Sequence, residues 1–592
     1  MWQRASAAQR WALAVAIGAL VLVAIDVWWF VTYRDGFPLN VDEAGYTAIG
    51  VIDWIGLENE GLHGWWEAVQ TQTPNAPLLP ALTSILLVFK PGVLTGFVTL
   101  AGFMVVLIFA AYGIGERLAG PRLGALAALV TGALPGTIIF AREYVFALPA
   151  AAMLALAMFA LLRSDGLRLR RWAIACGAAL GLMLLARTMA VAFLPGVLTA
   201  AALTALVRGG GDYRNRLLNL GLLLLAGAAV AALWYWRNLQ PVLDYLTGYG
   251  YGNQSQYYGE DNPILSWERL STVAEKMIFD DLLVPIAALV FAGLIAIAVV
   301  AVRRLRDSDD RRAELLRLAG TDAFAIFVVV AAGYAALTSS QNGGNGFTLP
   351  LSVLLPSLAV LALRFFRVAV APVVALLGAI AVVNLAATST IWDDVSKPRT
   401  VAVPGFGHLP WMGGVPHTVG AIRVQVPGSL SHFDEHERGW TEIDAELARE
   451  LGSLGAEGLP PVTAFGSRNR LISTNSVGLA AVLEAHRGIP FTQLNAEPTD
   501  SVATYKRQLS DPEFGQPTVL ITMSRNTEDF PPLVTQSYAE TAAKQLGFAK
   551  VRSFELPDGR ELYVWQKGAA ASSAEPALRP ARSPSAPDSR RG

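Results

Sequence analysis

The sequence predicts a polytopic α-helical membrane protein of about eleven transmembrane helices, N-terminus inside and C-terminus outside, followed by a soluble α/β domain. Three observations carry this reading. Of 592 residues, 53% are hydrophobic and only 16% charged, which is too long for one soluble core and too apolar for several. Apolar runs of span length recur through the first two thirds of the chain, with arginines gathered in alternate connections. From about residue 390 short strand-like and helix-like patterns alternate instead.

The first run, about 11–31, can cross roughly 30 Å of hydrocarbon and ends in Trp28, Trp29 and Phe30, like an interfacial aromatic belt. Arg4 and Arg10 precede it. Its apolar core is longer than a signal peptide's and lacks a small-residue cleavage site, so a retained span with a cytoplasmic N-terminus is expected. Further runs lie at roughly 94–115, 123–141, 146–162, 172–188, 190–207, 217–236, 282–302, 321–338, 347–363 and 368–388. Arg117 and Arg122, then Arg163 to Arg171, Arg208 to Arg216, Arg303 to Arg317, and Arg364 with Arg367 fall in alternate connections, which are therefore cytoplasmic.

The stretch 76–88 is apolar but short and holds Pro77 and Pro80. Counting it as a span would invert every later basic connection. It is placed in the outer interface beside Trp54, Trp65 and Trp66, so that the first outer loop, about 33–92, becomes a platform of interfacial helices. Residues 1–390 then form the transmembrane domain. The α/β domain covers 391–567, with strands near 461–465, 518–522 and 561–565 and helices near 476–486 and 533–546. The Ala, Ser, Pro and Arg-rich tail 568–592 is expected to be disordered.

Lys plus Arg and Asp plus Glu nearly balance at 46 and 47, so nothing points to nucleic acid as a partner. The single cysteine, Cys176, rules out a disulfide within the chain and a thiolate metal cluster. There is no P-loop, HExxH or GxSxG motif. His432 and His436 stand one helical turn apart and could offer two imidazoles to a divalent metal, but the spacing is weakly specific and no third ligand is evident, so no cofactor is expected.

Three arginines stand where the positive-inside rule would not put them. Arg142, Arg187 and Arg237 each fall at an outer span end, where a lipid-facing charge costs less than the about 2.5–3.5 kcal/mol of the bilayer centre. Guanidinium groups bind phosphate oxygens bidentately and keep their charge when partly buried, so together they suit a phosphate diester at the headgroup plane. The plainer alternative is that each snorkels or pairs with a nearby carboxylate.

On the same face, Asn40-Val41-Asp42-Glu43 follows the first span. A carboxylate there could take a proton from an acceptor hydroxyl. Equally, Asn40 and Glu43 have the spacing of a capping box, with Asp42 favouring the helix N-terminus electrostatically. Tyr245, Tyr249, Tyr251, Tyr257 and Tyr258 lie among glycines in what reads as an outer loop, about 238–281, suited to stacking on sugar rings or to a simple interfacial surface. Ser339 to Asn345, with Asn342 at its centre, adds polar groups at the same level, or merely a turn.

The Asp42-Glu43 pair in loop one, Ala141-Arg142-Glu143-Tyr144 in loop two, Leu185-Ala186-Arg187 in loop three and Trp236-Arg237-Asn238 before the Tyr/Gly stretch resemble, in order and sidedness, the GT-C glycosyltransferases of the protein O-mannosyltransferase and aminoarabinose transferase type. The resemblance covers about residues 1–390. It implies a GT-C-like fold, a polyprenyl-phosphate sugar donor, and inverting transfer to a glycan, lipid or protein acceptor at the extracytoplasmic face of the plasma membrane. It also implies Asp42 as catalytic base supported by Glu43, and Arg142, Arg187 and Arg237 on the donor phosphate. Glu143, Tyr144, Asn238, Tyr249, Tyr251 and Asn342 are the expected substrate-binding residues. Two positions depart from the group's pattern. Thr73 to Leu78 offers no cation before its prolines, and Phe146 and Ala147 stand where a carboxylate often follows the second-loop arginine, so that either Glu143 substitutes or the donor is held differently. Two rival readings are a transporter or flippase of a lipid-linked glycan, and a non-catalytic factor in envelope-polysaccharide assembly.

Overall fold

The computed structural model describes residues 6–71, 73–208, 213–252, 255, 263–282, 284–344, 346–365, 370–388, 399–403, 407–412, 435–455, 460–469, 471–495, 500–525 and 533–568. The chain divides into two compact units, Met1–Glu435 and His436–Gly592. The hairpin of β1 (Arg399–Val403) and β2 (Gly407–Met412) belongs to the first, so the division falls later than the expected residue 390.

The first unit is helical. It runs through α1 (Ala7–Tyr33), α2 (Val41–Val69), α3 (Leu78–Leu87), α4 (Val93–Ala119), α5 (Pro121–Gly132), α6 (Pro135–Ala141), α7 (Ala147–Arg163), α8 (Arg170–Ala186), α9 (Leu194–Val207) and α10 (Tyr213–Tyr251), and then through further helices to Thr388. Five stretches among the described residues are long and apolar enough to cross a membrane: Ala8–Thr32, Val93–Ala119, Thr188–Val207, Tyr213–Tyr251 and Ile286–Asp307. Two bent pairs raise this to seven, α5 with α6 at 58° and Arg311–Ala319 with Asp322–Thr338 at 70°. The α5–α6 bend has a local cause, because Pro135 holds Leu134 extended at φ −62° and ψ 140°. The described parts of the remaining expected spans are also helical, but short. At 17 residues each, α7 and α8 are about 25 Å long.

The stretch after Asn238 is not the mobile loop that its glycines suggest. It forms the last turns of the 39-residue α10, with Pro241 inside the helix. Propagating an existing helix adds one hydrogen bond per residue fixed, and the buried Trp234, Asn238 and Val242 anchor this part of α10 by packing. Tyr257 and Tyr258 lie outside the described residues.

In the first loop, α2 is two helical arms joined at Gly61, whose φ of 63° and ψ of −148° only glycine adopts readily. The arms meet where a Cβ on Gly64 would lie 2.4 Å from the Gly56 carbonyl oxygen.

The second unit is built on a five-stranded sheet. Its order is β4 (Phe491–Gln493), β3 (Thr463–Phe465), β5 (Val519–Met523), β7 (Glu561–Lys567), β6 (Phe548–Glu555). β3 runs parallel to both neighbours, while β7 is antiparallel to β5 and β6. Alternate residues of β5 face opposite layers. Val519, Ile521 and Met523 join Leu447, Leu451 and Val477, and Leu520 joins Tyr505, Leu509 and Ala542. The helices Glu435–Ser453 and Thr474–Ala485 thus cover one face, and Val502–Ser510 and Gln536–Gln545 the other.

The tightest helix packing in the first unit is between α8 and α10, where a Cβ on Gly177 would sit 2.0 Å from the Leu223 carbonyl oxygen. Small residues allow this backbone approach. Gly177→Ala is therefore expected to cost about 1–3 kcal/mol. Gly221→Ala, on α10 with open space around the new methyl, should instead gain up to about 1 kcal/mol from helix propensity. Thermal melting of the detergent-solubilised protein checks both, and equal melting points would refute the close contact.

Candidate active site

Local sequence builds the start of α2. Asn40 caps the helix, its Oδ1 accepting from the amides of Asp42 at 2.8 Å and Glu43 at 3.0 Å. The Glu43 carboxylate accepts in return from the Asn40 amide at 3.1 Å. The same carboxylate takes Arg34 Nη2 at 2.8 Å and the Tyr144 amide at 3.0 Å. Glu43 is fully buried and saturated by these contacts. Asp42, one residue earlier, is exposed.

The Asp42 carboxylate nevertheless has many protein atoms around it. Crowding raises its pKa above 3.8, the Glu43 charge adds to that, and Arg187 opposes it. Glu143 is buried. Its Oε1 accepts from Asn40 Nδ2 at 3.1 Å, and burial with the nearby Glu43 charge pushes its pKa well up.

Arg187 ends α8 in extended conformation, at φ −158° and ψ 123°. Its guanidinium lies 3.9 Å above the Phe347 ring and donates to the Gly346 carbonyl at 3.2 Å. Tyr245, Tyr46 and Asp42 lie within electrostatic reach of it, and a guanidinium keeps its charge at neutral pH. Arg187 also stands at a small cleft whose other walls include Met189, Phe193, Leu337, Asn342 and Pro350. A cation and a few polar groups thus border an otherwise apolar slot.

The other two arginines have partners of their own. Arg142 turns to α1, where Nε donates to Asp26 Oδ1 at 2.7 Å and the guanidinium covers the Trp29 ring at 4.6 Å. Both side chains of the pair are buried. Arg237 pairs with Glu67 of α2 at 3.0 Å and covers Trp236 at 4.7 Å. Neither faces Asp42 through any of these contacts, whereas Arg187 has Asp42 within electrostatic reach.

Several expected substrate residues are structural. The Tyr144 hydroxyl donates to Thr83 at 2.7 Å, and the fully buried ring fills the space over Gly96. Asn238 accepts from the Thr73 amide at 2.9 Å, tying the first loop to α10. Asn342 folds its own turn, accepting from the Gly344 amide at 3.1 Å, while also lining the cleft. Tyr249 packs on Tyr245 at 4.6 Å, and Tyr251 is 62% exposed.

Three participants are absent from the sequence-derived set. Tyr46, one helical turn after Asp42, packs on Phe146 at 4.1 Å and is coupled electrostatically to Asp42 and Arg187; its i+4 spacing was the available signal. Arg34 was visible as a cation just beyond the aromatic belt, and Asp26 as a carboxylate inside the first apolar run. His432 and the side chain of His436 lie outside the described residues; among the described residues no three His, Cys, Asp or Glu side chains form a metal site.

No family model matches the chain, and no curated protein matches it. Solved structures do. The crystal structure of ArnT, an aminoarabinose transferase, from Cupriavidus metallidurans bound to undecaprenyl phosphate is 16% identical, with a TM-score of 0.51 over 94% of this chain and 98% of that one. Its apo state gives 15% and 0.49 over the same shares. The archaeal oligosaccharyltransferase AglB from Archaeoglobus fulgidus, in complex with an inhibitory peptide and a dolichol-phosphate, gives 12% and 0.49, over 93% of this chain and 74% of that one. At such identity the likeness to ArnT is one of fold, and it is the GT-C fold that the sequence resemblance implies.

Proposed function

We propose that this protein is a multi-pass membrane glycosyltransferase that moves a sugar from a polyprenyl phosphate to an acceptor at the extracytoplasmic face, with inversion. One observation carries the reading: Asp42, open to solvent and raised in pKa, is coupled to Arg187, which borders an apolar cleft. The shared fold with a protein whose structure holds undecaprenyl phosphate supports the lipid donor.

Asp42 takes the proton of the acceptor hydroxyl as its oxygen attacks the anomeric carbon. The bond from that carbon to the phosphate oxygen breaks, and the polyprenyl phosphate leaves with one more negative charge than it had as a diester. Arg187 meets that growing charge, which makes its contribution larger in the transition state than in the bound donor. Glu43 and Arg34 hold the loop, and the apolar walls of the cleft accept isoprene units. In this reading about eleven spans have their basic connections inside, with Asp42 and the C-terminal unit outside and the acceptor a glycan, lipid or protein.

With purified enzyme and a labelled polyprenyl-phosphate sugar, Asp42→Asn is expected to lower transfer on the order of 10²–10⁴-fold while leaving donor binding intact; normal turnover would sink the assignment. A flippase would move label across vesicles without forming a new glycoside.

The pH dependence follows from the sign of the shift. A base must be deprotonated to act, so kcat/KM should rise with pH through a value above 3.8. Arg187→Gln removes the cation that holds that value down and should move the acid limb to higher pH, raise KM for the donor and lower kcat. Arg187→Lys should shift the limb less. Arg237→Gln, which removes a part-exposed pair with Glu67, should cost no more than about 1 kcal/mol of stability and leave transfer near the parent rate.

A further inference from the structure

We infer that the helix Arg311–Ala319 is a docking surface for the anionic phospholipid headgroups of the bilayer. It meets the next helix, Asp322–Thr338, at 70°. If that partner crosses the membrane, as the proposed topology has it, the short helix lies close to the membrane plane.

The exposed face of the short helix has an interfacial composition. Arg311 and Leu315 are one turn apart on it, as are Arg312 and Leu316, and all four are exposed. The two leucines remain 54% and 48% accessible. The opposite side carries Glu314, which is 9% exposed and pairs with Arg317 at 3.4 Å. Asp310 accepts from the Ala313 amide at 3.0 Å as the cap of the helix. Asp310 and Glu314 are thus engaged, and the exposed Asp307 and Asp309 precede the helix, whereas Arg311 and Arg312 have no ion-pair partner among the described residues. Arg303, Arg304 and Arg306, exposed at the end of the preceding helix Val284–Asp307, extend the same cationic surface. Adjacent guanidinium groups and leucines match a boundary where phosphates meet acyl chains, and each basic residue near such a surface adds attraction.

The test uses full-length protein in nanodiscs of phosphatidylcholine alone or mixed with phosphatidylglycerol. A fluorophore on Leu316→Cys reports contact with lipids carrying a shallow nitroxide quencher, and the native Cys176 is fully buried. Stronger quenching with phosphatidylglycerol, reversed by high salt, is expected. Arg311→Gln and Arg312→Gln should each weaken the association roughly fivefold, and Arg312→Lys should largely retain it. Equal access of a water-soluble quencher in both discs would overturn the inference and leave the face to an acidic protein. Quenching is read without any sugar transfer, so failure of the proposed activity would not be mistaken for failure of this surface. Labelling of Ser308→Cys in cells by a membrane-impermeant reagent would instead overturn the sidedness on which the orientation rests.

Discussion

A buried carboxylate is tolerated only where protein dipoles and a cation replace its water, and Glu43 meets that condition with groups from three parts of the chain. Its partners are the Asn40 amide at the start of α2, Arg34 just past α1, and the Tyr144 amide after α6. Removing the carboxylate would strand a buried guanidinium and two amides together, so the first span, the first loop and the second loop are held in one arrangement. Asp42 has its backbone amide in that arrangement and its carboxylate outside it. The structural duty of one acid is what leaves its neighbour available for chemistry.

The same accounting sorts the arginines. A guanidinium deep in a helical unit needs a carboxylate or a ring face, and Arg142 has both in Asp26 and Trp29. Arg187 has a ring face in Phe347 and a carbonyl in Gly346, with Asp42 within electrostatic reach. Its place at the edge of the apolar cleft, more than position along the chain, distinguishes it from Arg142.

Much of the fold was legible in the sequence. Apolar length located the helices, since hydrocarbon tolerates few other residues, and alternation located β3, β5 and β7. The lengths of the helices were less legible. Tyr249 and Tyr251 read as loop because glycine propensity is local, whereas α10 is sustained by packing of Trp234 and Val242 farther up. At the site, the capping spacing of Asn40 and Glu43 was readable because it is a short-range rule. The Asp26 and Glu67 partners were not, because pairing across 116 and 170 residues depends on helix packing that no spacing encodes. The ion pairs of Arg142 and Arg237 match the alternative in which such an arginine pairs with a carboxylate.

One cation is enough for the proposed reaction if its charge balance is followed. Before transfer the site holds an ionised Asp42, a phosphodiester with one negative charge and Arg187, which sum to minus one. After transfer Asp42 carries the proton, the polyprenyl phosphate carries two negative charges, and Arg187 is unchanged, again summing to minus one. No net charge appears or disappears in a site whose low dielectric would penalise it. The negative charge moves from the carboxylate to the phosphate, and Arg187, already coupled to Asp42, loses one anionic partner as it gains another.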